Sequence, residues 1–413
     1  MKNFCHLVIA FLLLLTIDFS FADTNVNVVY LALSGQSVPS DNNYLFATFF
    51  RPHLQAGYTA FIGTDTVGNQ GIYTNLYGAL NVVASYGTSV PDGQGNFSSF
   101  NSTSDFFDVP SYNNLAIFGS VIAWVATDST WESGIYSATQ SNGPQLVANQ
   151  STSIPNGQGN FIAFAYPTVM ADESIAFWGA GNNNQQGLYH ANSQGLLSTL
   201  IDIHATIPNG TGNFTNFMYP SFSTNPQSAE NFAFIGTGNN NQQGVYLMQN
   251  QKLIKIADTN TEMSGGNVGY FTDFKDLSYD GYSNNLAFIG DGILGQTGIF
   301  VYNGKTVSAL VQPTNIIPDG VGNFKSFSTP NMENGYVLFQ ATGSFNQQGI
   351  YLYDLQGNMY KILSNKDKIN GKAVKTIAIG SNALSSNQIS ALINFQDGTS
   401  GIYLITITNL QQA

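Results

Sequence analysis

The chain of 413 residues carries 24 acidic side chains against 12 basic ones, a net charge of −12, and Arg51 is its sole arginine. That balance repels phosphate backbones and anionic lipid, so nucleic-acid binding and docking to anionic membranes are not expected. With 43% hydrophobic and 13% aromatic residues, the apolar surface suffices for a sizeable core, and disorder is excluded despite the wealth of Gly, Asn and Gln.

Lys2, the apolar run Leu7 to Ile17 and the small residues around Ser20-Phe21-Ala22 read as an export signal, with a mature chain from near Asp23. The run is shorter than the roughly 20 residues that span a bilayer. Cys5 precedes it and is not placed for lipidation, so no membrane anchor is expected. Without Cys5 the remaining chain has no cysteine, which excludes disulfides, a Cys-based zinc site and a thiol nucleophile. A secreted or periplasmic protein is expected, with residues 23–413 as one domain.

From there the chain repeats. A Gly-apolar-aromatic tripeptide occurs seven times, at Gly71-Ile72-Tyr73, Gly134-Ile135-Tyr136, Gly187-Leu188-Tyr189, Gly244-Val245-Tyr246, Gly298-Ile299-Phe300, Gly349-Ile350-Tyr351 and Gly401-Ile402-Tyr403. Eleven positions before the first six glycines stand Ala60-Phe61, Ala123-Trp124, Ala176-Phe177, Ala233-Phe234, Ala287-Phe288 and Leu338-Phe339. The seventh unit departs from this at Ser390-Ala391-Leu392-Ile393, which suggests a shorter loop. Six units open with two phenylalanines three apart, such as Phe161 and Phe164 or Phe214 and Phe217; strict alternation places them on opposite faces of an inner strand. Pro-x-Gly-x-Gly turns precede four of these pairs, at Pro91, Pro155, Pro208 and Pro318.

Each unit thus reads as strand, strand, Asn/Gln/Gly loop, strand, strand and turn. A step of about 55 residues fits a four-stranded propeller blade, and no segment sustains a helical period beyond short turns. Asn27 to Pro39 resembles an outer strand, Asn81 to Pro91, while the last unit stops after its third strand. The expectation is an all-β, seven-bladed β-propeller closed by the N-terminal strand completing the last blade, which removes an exposed sheet edge.

The Phe-x-x-Phe strand, Ala-Phe strand, Gly-Ile-Tyr strand and Pro-x-Gly-x-Gly turn resemble the tandem-repeat proteins of bacterial cell surfaces, some of which end in a sorting anchor. The likeness spans nearly all of the mature chain but rests on structural motifs. It implies an exported repeat propeller and no particular chemistry. Asn409 to Ala413 carry no such anchor, so release or a periplasmic location is expected over tethering.

Propellers often bind ligands on the face that carries the turns between blades and the loops joining second to third strands. Repeated amides gather there: Asn69 and Gln70; Asn182, Asn183, Asn184, Gln185 and Gln186; Asn239, Asn240, Asn241, Gln242 and Gln243; Gln296; and Asn346, Gln347 and Gln348. Amides both donate and accept, which suits a glycan; the alternative is that they serve turn geometry. Trp131, in the loop Asp128 to Ser133, is the aromatic expected to be exposed for stacking on a sugar or protein, whereas Trp124 and Trp178 belong to the packed second strand.

Asp92 and Asp319 sit in Asp-Gly turns that invite calcium, but lack its alternating carboxylates, so a structural turn is expected. Asp273, Asp276 and Asp280 read as a solvated edge, and Lys361, Lys366, Lys368, Lys372 and Lys375 as a solvated strand and turn that could dock an acidic partner. His53, His190 and His204 show no metal spacing, and no Gly-x-Ser-x-Gly turn exists. A sialidase-like arginine cluster cannot be built from Arg51, while a glycosidase carboxylate pair converging in the central funnel stays open. No cofactor is expected. The leading expectation is a monomeric, non-enzymatic propeller that binds a glycan or protein; the alternatives are a polysaccharide hydrolase or lyase and a structural envelope protein.

Overall fold

The computed structural model describes residues 25–39, 41–91, 95–100, 114–265, 269–354 and 356–408. The export segment, Asp92 and the residues after 408 lie outside that description. Seven antiparallel sheets follow one another along the chain and form the seven-bladed β-propeller. The third blade shows the plan: Phe161–Val169, Ile175–Gly181, Gln186–Ala191 and Leu197–Asp202 pair in sequence order from the axis outward.

Alternation along the second strand decides which blade each side chain meets. Phe177 points to the preceding blade, packing with Ala123, Val125 and Ile135, while Ala176 and Trp178 point to the following one. The same division holds all the way round, so seven apolar clusters among the described residues each fill one junction between consecutive blades. On the aromatic side, four rings form a set. In blade four, Phe214 meets Phe217 at 5.4 Å between centroids and Tyr246 edge-on at 4.9 Å, and Tyr246 stacks on Phe234 at 5.6 Å.

The two opening phenylalanines therefore share a face, contrary to the strict alternation read from their spacing. A β-bulge intervenes: the pairing register slips between Phe161 and Ala163, and likewise between Phe214 and Asn216. One extra residue turns an odd spacing into an even one, so the rings of Phe161 and Phe164 lie 5.3 Å apart. The glycine of each Gly-apolar-aromatic tripeptide has a separate cause. A Cβ on Gly244 would lie 2.6 Å from the carbonyl oxygen of Ala257 on the outer strand, and only a bare backbone fits.

Blade seven differs in packing, not in loop length. Ile393 pairs with Gly401 across eight positions, as Ala341 pairs with Gly349 in blade six. Ala391 stands opposite Tyr403, where the other blades set an aromatic, and Val374, Ile377 and Ile389 fill the space. The ring closes as the sequence implies: Val26–Leu33 pairs antiparallel with Ser400–Ile407, Val26 facing Ile407 and Tyr30 facing Tyr403.

Because Phe234 is fully buried between two blades, Phe234→Ala is expected to cost about 3–5 kcal/mol in chemical denaturation. A loss under about 1 kcal/mol contradicts the wedge role given to the ring set.

Candidate functional site

The face bearing the second-to-third-strand loops is where the repeated amides lie, and the structure gives the glutamine side chains backbone partners. Gln185 accepts from Gln158 N at 2.8 Å and donates to Gln158 O at 2.8 Å, so one side chain mimics a strand partner for its blade's own Pro-Gly turn. Gln242 does the same to Thr211, and Gln347 to Val321. The next glutamine reaches to the following blade: Gln186 donates to Thr215 O, Gln243 accepts from Phe274 N, Gln348 donates to Ile377 O, and Gln70 accepts from Phe100 N. The pair is a clasp within and between blades.

Asn183, Asn184, Asn240, Asn241 and Asn346 occupy left-handed backbone at the loop tips, with φ between 56° and 60°. Asn tolerates that region better than most residues, which accounts for its recurrence. Asn182 and Asn239 are exposed beside them. Asn156, Asn209 and Asp319 are left-handed as well, so the Asn/Asp alternation in the Pro-Gly turns follows backbone need. Trp131 is 85% exposed at φ 71°, and Phe345, which the sequence reading passed over, is 74% exposed at φ 56°.

The cavity opens at the other end of the axis, among the hairpins joining first to second strands. It encloses about 190 Å³ and is walled by residues from all seven blades, from His53 to Gln55 round to Ser381 to Ser385. Its throat is shaped by a second bulge on the inner strands of blades three to six, five residues after the first phenylalanine. The register slips between Ala165 and Thr168, Met218 and Ser221, Lys275 and Leu277, and Ser328 and Asn331. At these slips Tyr166, Tyr219, Asp276 and Thr329 adopt φ of 52°, 49°, 42° and 53°. Large or β-branched residues there carry strain of about 1–3 kcal/mol each, which bulges use to aim a side chain.

Contacts pass from blade to blade around this throat. Arg51, at the same offset in blade one, donates from Nη1 to Ile379 O of blade seven and to Thr329 Oγ1 of blade six, both at 3.2 Å. Thr329 N donates to Asp276 Oδ2 of blade five at 2.9 Å. Burial, helped by the negative charge of Asp276, pushes the neighbouring Tyr219 phenol up to about 12. Tyr219 in turn faces Tyr166 at 6.1 Å between ring centroids. Sequence reasoning missed this ring because its residues differ from blade to blade; the faint signal was a proline at the next position in Arg51-Pro52, Tyr166-Pro167, Tyr219-Pro220 and Thr329-Pro330.

The three acidic residues read as a solvated edge separate. Asp273 stands opposite Asp291 and pairs with Lys275, 3.1 Å away, whereas Asp276 lines the cavity. Asp280 is 1% exposed and accepts from Tyr282 N and Ser283 Oγ, capping its own hairpin. Near it Glu333, also on the cavity wall, is pushed up to about 7 by burial, against the Ser386 N–H that favours its charge and with the help of Asp280. The histidines do not converge. His53 is buried on the wall, His190 bonds Ser174 Oγ at 2.8 Å with its basicity lowered by burial, and His204 lies exposed beside Asp202. In the basic tract, Lys361 pairs with Asp367 and Lys372 with Asp397.

A seven-bladed propeller with a walled axial funnel is the class of protein these features define. The chain belongs to a family of unknown function, DUF7453, whose family model matches residues 19–287. A comparison with curated proteins finds no match. Among solved structures, the chain is similar to the β-propeller domain of the Trilobed protease from Pyrococcus furiosus, at 12% identity over 87% of this chain and 95% of that one, with a TM-score of 0.50. That domain is described as having an open velcro topology. Acylaminoacyl peptidase of Pyrococcus horikoshii matches at 12% identity over 90% of this chain and 52% of its own, with a TM-score of 0.47. TolB of Acinetobacter baumannii matches at 13% identity over 71% and 65%, with a TM-score of 0.39.

Two outcomes follow from the site. Gln243→Ala removes one blade-to-blade bond and is expected to lower stability by about 1–2 kcal/mol in urea denaturation, while Asn239→Ala, exposed and outside the left-handed positions, changes it by less than that. The folded protein holds the proton of Glu333 more tightly than the unfolded chain, where a glutamate titrates near 4.3. The stability it contributes is full below that value and is lost as pH rises through about 7. Glu333→Gln is expected to flatten the fall in melting temperature between about pH 5 and about pH 8; an unchanged slope places Glu333 in contact with solvent.

Proposed function

We propose that the protein is an exported binding propeller that holds a small ligand in the axial funnel without turning it over. The observation that carries this reading is the throat. In a scaffold whose core, turns and clasps repeat, the inner-strand bulge presents Tyr166, Tyr219, Asp276 and Thr329 on four consecutive blades, a different set of chemistries around one cavity. Repeated residues serve the fold, and non-equivalent residues at equivalent positions serve something else. A cavity of about 190 Å³ suits a small molecule, being below the roughly 300–1,000 Å³ of drug-sized sites.

A polysaccharide-hydrolase reading keeps one observation in its favour, since Glu333 holds its proton toward neutral pH as a general acid must. Binding is preferred because the groups nearest Glu333 are Ser386 N–H and the capping carboxylate of Asp280, which is committed to its hairpin.

The test is a thermal-shift screen of the purified protein against monosaccharides, oligosaccharides, amines, amino acids and short peptides. A ligand at 100 times its Kd stabilises by about 2.7 kcal/mol, a shift of several degrees. The expected shift is lost in Tyr219→Ala and kept in Trp131→Ala. The reverse pattern moves the site to the loop face, and sugar release that Glu333→Gln abolishes makes the protein a hydrolase.

A further inference from the structure

We propose that the loop face carries a second site, across blades six and seven, that binds an acidic polysaccharide of the uronate type. Phe345 stacks on a sugar ring, and Lys325, Lys366, Lys368 and Lys375 meet its carboxylates. Two of these lysines break the repeat at an equivalent position. The first bulge of each inner strand inserts one residue after the leading apolar side chain, and five blades set Ala47, Ser98, Ile162, Thr215 and Thr272 there. Blades six and seven set Lys325 and Lys375, both exposed, and a bulge is a device for aiming a side chain.

Hydrogen bonds gather the rest around one aromatic. Ser344 donates from N and Oγ to Asn323 O, Asn365 Nδ2 donates to Asn346 O, and Gln348 Nε2 donates to Ile377 O. The Phe345 loop is thereby fastened to the strand opening Phe324-Lys325, to the turn bearing Lys366 and Lys368, and to the blade-seven strand bearing Lys375. At this meeting point Phe345 is 74% exposed at φ 56°, strained backbone that presents a ring to solvent. Exposed Asn323, Ser326, Thr342 and Asn346 lie alongside, with amides and hydroxyls for sugar hydroxyls.

The charge is local. Among the described residues, none of the four exposed lysines is in an ion pair, while Asp367 is taken up by Lys361 and Ser364, and Asp397 by Lys372 and Thr399. That leaves Asp319 of the Pro-Gly turn against four cations. Screening over about 8 Å at physiological ionic strength lets the patch act apart from the chain's overall acidity. An acidic polypeptide would gain from the lysines but needs a pocket for its anchoring side chains, and Phe345 is a protrusion. A neutral sugar would stack and leave the lysines unused.

Isothermal titration of the full protein at low salt with tetragalacturonate and with its fully methyl-esterified, uncharged form tests this. The acid is expected to bind about tenfold or more tightly than the ester, and to weaken as salt is raised. Lys325→Gln combined with Lys375→Gln should weaken it by roughly tenfold. Phe345→Asn, which removes the ring and tolerates the left-handed backbone, should weaken it by roughly fivefold or more, while Lys252→Gln on an outer strand of blade four should leave it unchanged. Melting temperatures within a few degrees of the parent separate a lost contact from a lost fold. Equal affinity for acid and ester, no binding of the acid at millimolar concentration, or affinity that ignores the lysines and Phe345 overturns the inference. Polyglutamate bound more tightly than tetragalacturonate overturns it in favour of an acidic polypeptide. The funnel reading stands or falls separately, since none of these residues lines that cavity.

Discussion

Everything in this molecule depends on each blade being two-faced, with a bulky set, aromatic in six blades and largely aliphatic in the seventh, turned to the blade before and mostly aliphatic side chains turned to the blade after. The second strand enforces it, because neighbours along a strand point to opposite sides: Phe177 can wedge backward only while Ala176 leaves room forward. Such a unit cannot bury its faces alone, and an open row of them would leave one aromatic face bare at one end. Seven junctions in a ring satisfy every face. Val26–Leu33 then supplies the outer strand the final blade lacks, so the chain ends are stitched by sheet hydrogen bonds without any disulfide.

The architecture was legible because it is written in repeated residues. The Gly-Ile-Tyr period gave the blade count, and the likeness of Asn27 to Pro39 to an outer strand gave the closure. The bulges were not legible, since an inserted residue changes no composition and leaves the hydrophobic pattern readable under the wrong parity. Phe161 and Phe164 show the consequence: a correct strand with its side chains assigned to the wrong faces. The same invisibility hid the throat, whose position is defined by a second bulge and whose residue types follow no pattern.

The loop amides teach the complementary lesson. They drew attention because they recur, but recurrence in a repeat protein marks what every blade needs. Gln185 and Gln186 stand side by side and serve two different neighbours, one holding a turn and the other the next inner strand. Periodicity could place both glutamines in one loop. It could not reveal that their polar ends were directed at main-chain groups, which depends on how the turn and the next blade curl toward them.

The two ends of the axis accordingly divide the work. On the loop face, side-chain hydrogen bonds lock blades together, and variation there acts on the whole ring. On the hairpin face, the backbone aims the throat residue through a bulge, so its identity can change from Tyr166 to Asp276 to Thr329 while the blade behind it stays the same. The strain of those left-handed residues must be met by interactions elsewhere, and the buried ring sets behind them are the largest source at hand. Thr329 couples the throat circumferentially, accepting from Arg51 through its hydroxyl while its own N–H donates to Asp276. Blades one, five and six are thereby tied through one threonine at the throat, a link independent of the glutamine clasps on the loop face.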